Sequence, residues 1–105
     1  MLDWSRIEEL HEDLGEEDFE EIISLFLEEV ENRLAELAEQ RCMDIPGCLH
    51  FLKGSAANLG FRKFKAACET AEASGSAQDL ANVEEIYLQA KLEFLTALEA
   101  KSLAA

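Results

Sequence analysis

The chain has 105 residues, 49% of them hydrophobic, with five glycines and one proline. That is the length of one small domain, 1–105, with one core, and its Ala-, Leu- and Glu-led composition, poor in β-branched residues, reads as all-α. A formal net charge of −14 argues against nucleic acid as a partner, because the field has the wrong sign for a polyphosphate.

The charge is uneven. Residues 1–40 carry fifteen acids and two bases, residues 41–65 one acid and five bases, and the rest seven acids and two bases. The five bases are Arg41, Lys53, Arg62, Lys63 and Lys65. Such a stretch is either a solvated cluster or a local attractive field for an acidic partner. No apolar run approaches the roughly 18 residues that span a bilayer, and no signal peptide is recognisable. Cys42, Cys48 and Cys68 form no CxxC pair and lack zinc-ligand spacing with the two histidines. A soluble, reduced, cytoplasmic chain follows as the expectation, with cysteines acting as small hydrophobes and no metal site. Its first residue and its complete set of helices suggest a free-standing protein.

In chain order, Asp3 has the character of an N-cap. Trp4, Ile7 and Leu10 follow at helical spacing and predict a short helix over 4–12, with Trp4 and Ile7 capping one end of the core. His11, near its end, reads as a surface residue. After Gly15, Glu16, Glu17 and Asp18 open a second helix where the macrodipole favours acids. Phe19, Ile22, Ile23, Phe26, Leu27, Val30, Leu34 and Leu37 carry its apolar stripe over 16–40. That is a rod of about 37 Å.

Asp44 can cap a third helix over 45–59, with Pro46 tolerated in its first turn and Gly60 suited to its end. The fourth helix spans 61–74, burying Phe61, Phe64, Cys68 and Ala71, before Gly75. Ser76 and Asp79 have capping-box spacing ahead of a fifth helix over 77–101. Its core side is Leu80, Val83, Tyr87, Ala90, Phe94 and Leu98, flanked by Ile86 and Leu95. Short turns between long helices make neighbours antiparallel, so the expected fold is an up-down-up-down four-helix bundle with a short additional N-terminal helix.

The third helix has two unlike faces. Ile45, Leu49, Leu52, Ala56 and Leu59 form one apolar stripe, while His50, Lys53, Gly54 and Ala57 recur at the same spacings on another side. If the leucines are buried, His50 points outward. Lys53 is within its reach at i+3. Gly54 leaves space beside it at a cost of about 1 kcal/mol relative to alanine. An imidazole, a cation and a cleared space make a place where a phosphoryl group can sit.

The run His50-Phe51-Leu52-Lys53-Gly54-Ser55-Ala56-Ala57-Asn58-Leu59-Gly60 resembles the signature of histidine phosphotransfer (HPt) domains of phosphorelays, and the helix layout extends the resemblance over nearly the whole chain. The resemblance implies a phosphocarrier that accepts a phosphoryl group on His50 from the aspartate of a receiver (response regulator) domain and passes it on. Lys53 would stabilise the phosphate and Gly54 would give steric access. It also implies partners among receiver domains and hybrid histidine kinases, with Mg²⁺ in the partner receiver and no cofactor in this chain. In several HPt relatives the position of Glu72 holds a polar residue near the histidine, so Glu72 could orient the imidazole. Arg62, Lys63, Lys65 and Phe51 are candidates for partner docking. Ser55 and Asn58 read as packing and helix-end residues.

No Gly-rich nucleotide loop is present, so the chain is expected to be a carrier rather than an enzyme. The alternative is a non-phosphorylated adaptor bundle that binds a receiver or histidine kinase through the same face. A metal enzyme in a bundle would need inward-facing Glu/His pairs on its long helices, and none is present there. Four complete amphipathic helices can bury their stripes in one chain, which suits a monomer.

Overall fold

The computed structural model describes residues 2–104, with side chains described through residue 100. Its helices are α1 (Trp4–Leu14), α2 (Glu16–Ala38), α3 (Ile45–Leu59), α4 (Arg62–Ser74) and α5 (Ala77–Ala104). α3 packs between α2 and α4, α4 packs on α5, α5 closes more sparsely onto α2, and α1 lies against α2 and α3. The result is an all-α four-helix bundle with one added helix, 43 × 21 × 19 Å in extent. Among the described residues no helix is long and apolar enough to cross a membrane.

The helix ends follow from local chemistry. The Asp3 carboxylate caps α1 by accepting from Arg6 N at 3.3 Å, and α1 continues to Leu14, past the expected residue 12. α2 ends at Ala38, short of the expected residue 40. There Gln40 turns left-handed with φ of 57°, and Arg41 N reaches back to Glu36 O at 2.8 Å. Those bonds satisfy carbonyls that a longer helix would have used. Phe61 precedes α4 rather than opening it. The Ser76–Asp79 box is only half made: Asp79 N donates to Ser76 Oγ at 3.1 Å. The other half runs through Ser74, whose hydroxyl accepts from Ser76 N and donates to the Asp79 carboxylate. An aspartate is a methylene too short to span that gap alone.

Gly60 does two things at the α3–α4 turn. Its left-handed φ of 75° closes α3, with Phe61 N donating to Ala56 O at 2.8 Å. Its carbonyl accepts from Asp3 N at 2.7 Å, beside an antiparallel bridge between Leu2 and Phe61. A Cβ at Gly60 would stand 2.8 Å from Asp3 O. Gly60→Ala is therefore expected to lower stability by about 1–3 kcal/mol, from the left-handed backbone and the lost tie together. A urea titration should show a lower midpoint with little change in slope.

The core is aromatic at its middle. Phe61, Phe64, Tyr87 and Phe94 are fully buried, with Phe64 5.2 Å from Tyr87 and Phe61 5.4 Å from Phe94 between ring centroids. Trp4 of α1 stacks on Phe94 at 6.1 Å, so α1 covers that end. Val30, Leu52, Ala56, Leu59 and Val83 complete the interior. One stripe residue and one flanking residue fall outside it. Ile45, 42% exposed, borders an open pocket with Leu34, Leu37 and Leu80, and Leu95, 43% exposed, follows the buried Phe94 and so lies about 100° off the core side of α5. His11 lies at the surface, edge-on to Phe19 at 5.1 Å.

Across the α2–α5 seam the buried Tyr87 hydroxyl donates to Glu31 Oε2 at 2.7 Å, and Lys91 Nζ donates to the same oxygen. Burial raises the Glu31 carboxyl, but Lys91 and Tyr87 outweigh it and leave it below its ordinary 4.5. A depressed native carboxyl stabilises above the unfolded value and loses that contribution as pH falls through the native one. Glu31→Gln is thus expected to be less stable than wild type at neutral pH, and the gap should narrow in thermal melts as the pH falls below 4.5. Burial raises the Cys48 thiol to about 11 and the Cys68 thiol to about 12.

Candidate functional site

α3 is built to hold its outer stripe in place. The Asp44 carboxylate caps it, accepting from Gly47 N at 3.1 Å, and Pro46 sits in the first turn where no N–H is needed. A Cβ at Gly47 would push the Asp44 carboxylate out of its present position. Cys48, Leu49, Leu52, Ser55, Ala56 and Leu59 are buried against the bundle. That fixes the rotation of the helix and leaves His50, Gly54, Ala57 and Asn58 exposed.

No partner for the His50 ring occurs among the described residues. Beside it, a Cβ on Gly54 would meet nothing within 4 Å. The glycine is therefore required neither by packing nor by a positive φ. Lys53, at i+3, turns its ammonium to Glu72 of α4, with Nζ to Oε1 at 3.1 Å and both side chains 28% exposed. Glu72 thus pairs with the lysine, not with the imidazole that sequence reasoning offered it. The signal was present in part. Glu72 follows the buried Cys68 by four, which turns it toward α3. Which α3 residue it meets depends on the register of the two helices, which no local pattern encodes.

The docking candidates separate. Phe51 is half-buried, with the Arg33 guanidinium 4.9 Å above its ring. Arg33 was absent from the sequence reading. Arg62 is tied to Asp3 at 3.2 Å yet stays 71% exposed, whereas Lys63 and Lys65 are exposed without an ion-pair partner among the described residues. All three lie near the α3–α4 turn. His50 is nine residues, about 13 Å of helix, from that end. The bases therefore flank the site rather than line it.

The stripe combines an unpartnered imidazole, a neighbouring ammonium and open space over a glycine, all on the second helix of a four-helix bundle. The family model for the Hpt domain matches residues 21–101, so the chain belongs to the histidine phosphotransfer (Hpt) domain family. Such domains serve as phosphocarriers in two-component phosphorelays and interact with receiver and kinase domains. Comparison with curated proteins found no match, nor did comparison with solved structures.

Proposed function

We propose that His50 is the phosphoryl acceptor and donor of this domain, taking the group from the aspartyl phosphate of a receiver and passing it to the aspartate of another. The observation that carries this reading is the exposed imidazole with no internal partner, beside a glycine whose missing side chain serves no packing purpose.

The step balances without further reactants. The lone pair of the outer imidazole nitrogen attacks phosphorus, the N–P bond forms, and the acyl phosphate P–O bond breaks. Its electrons return to the aspartate carboxylate. The charge spreads over three equatorial oxygens, so positioning and electrostatics dominate catalysis. Lys53 supplies positive charge next to the imidazole. The Gly54 gap lets the partner approach the helix axis. Mg²⁺ and the carboxylate belong to the partner, and the chain acts as a monomeric carrier rather than an enzyme. Lys63 and Lys65, with the exposed part of Arg62, meet an acidic rim on that partner, and Phe51 adds an apolar edge. The domain works in the cytoplasm, alongside receivers and hybrid kinases.

The test is transfer from a phosphorylated receiver domain, across a panel of receivers. Label is expected on this chain as an acid-labile phosphate, with none on His50→Gln of unchanged helicity. Binding of receivers without transfer would replace the carrier reading by an adaptor. Equal labelling of His50→Gln would move the acceptor elsewhere.

A further inference from the structure

The turn between α2 and α3 gathers three ligand-bearing side chains away from the His50 stripe. Glu36 lies in the last turn of α2, Cys42 in the connecting turn and Cys48 near the start of α3. A Glu36 carboxylate oxygen and the two Sγ atoms all lie within 4.8 Å of one another. Cys48 is buried, while Glu36 and Cys42 are half-buried, so the cluster opens to solvent on one side. We propose that Glu36, Cys42 and Cys48 form a binding site for a borderline-soft divalent cation, with zinc the best fit, open at its fourth position.

The donor set selects the metal. Two thiolates disfavour magnesium and calcium, which take all-oxygen shells, and favour zinc among common divalent ions. Tetrahedral zinc, with bonds of about 2.3 Å to sulfur and 2.0–2.2 Å to oxygen, sets its ligand atoms roughly 3.4–3.8 Å apart. The three atoms need to draw together by only about an ångström. Cys42 has the freedom to do so: it sits in a short turn, where its thiol bonds Asp44 O at 3.3 Å and already interacts with the Cys48 thiol. Charge also balances. Two thiolates and a carboxylate carry three negative charges. Zinc answers two, and Arg33, 3.7 Å from Glu36, answers the third. Three protein ligands with an open position describe an exchangeable site rather than a closed structural one. The expectation of no metal rested on spacing along the chain. The α2–α3 reversal, which returns Cys48 to Glu36, overturns that premise.

Bound metal would clamp the α2–α3 turn two residues before His50. The experiment is a zinc titration of the full reduced chain against a chromophoric chelator, with cobalt(II) substitution as a second readout. One equivalent of zinc is expected, and a thiolate-to-cobalt charge-transfer band. Cys42→Ser and Cys48→Ala should each weaken zinc by roughly 100-fold or more, since loss of outer-shell support alone costs 10–100-fold. Cys68→Ala, altered in the interior of α4, should bind as wild type does. His50→Gln should as well, which separates this site from the phosphocarrier reading. Zinc should raise the melting temperature of wild type and leave that of Cys42→Ser unmoved. Failure of wild type to bind one equivalent overturns the site, as does wild-type affinity in Cys42→Ser, a half-exposed turn position where misfolding is no concern.

Discussion

Gly54→Leu is expected to raise the stability of the domain while slowing phosphotransfer by about 100-fold or more. The two effects have separate causes. A mid-helix glycine is less favourable than leucine by nearly 1 kcal/mol, and a Cβ at this position meets nothing within 4 Å. Nothing in the fold therefore opposes the added side chain. Helical side chains lean toward the N-terminus, so a leucine here would lie over the residue four positions earlier, which is His50. It would cover the imidazole and hold a partner off the helix surface. A 1 Å displacement at a reacting centre already costs about 100-fold. Gly54→Ala, three carbons smaller, should show the same gain in melting temperature with a milder loss of rate. Transfer at the wild-type rate by a stabilised Gly54→Leu would show that the gap has no role in docking.

Much of this geometry was legible in the sequence because one period governs it. The stripes on α2 to α5 recur at 3.6 residues, and a stripe that must be buried fixes the opposite face as exposed. Burying Leu49, Leu52 and Leu59 is enough to turn His50 outward. What stayed hidden is where one element meets another. Ile45 belongs to its stripe by spacing and Leu95 flanks one, but whether a neighbour covers them is a property of the assembled bundle. Gln40 takes a left-handed conformation that residue type alone assigns to glycine or asparagine. Asp3 could be read as a cap, whereas the bond from its N–H to Gly60 O joins residues 57 positions apart. The Arg33–Phe51 contact and the Glu36–Cys42–Cys48 cluster are long-range in the same sense. Each depends on the α2–α3 register.

Lys53→Ala is expected to slow phosphotransfer by roughly 30–100-fold, and Glu72→Gln to leave it unchanged or quicken it. In the resting domain the lysine is held by Glu72 at 3.1 Å. A pair this exposed is worth at most about 1 kcal/mol, so an arriving phosphoryl dianion can win the ammonium from the carboxylate. Even at the dielectric of bulk water a unit charge about 4 Å from a dianion contributes about 2 kcal/mol, which sets the lower end of the loss expected when Lys53 is removed. Removing Lys53 alone also leaves the Glu72 charge uncompensated beside the incoming phosphate. The double variant Lys53→Ala, Glu72→Gln should therefore transfer several-fold faster than Lys53→Ala. That difference should shrink as salt is raised, because screening weakens both the attraction and the repulsion. A Glu72 that supported the imidazole would give the opposite pattern, with Glu72→Gln as slow as Lys53→Ala and no recovery in the double variant. Rates of the four proteins at two salt concentrations decide between a carboxylate that competes with the phosphate and one that positions the histidine.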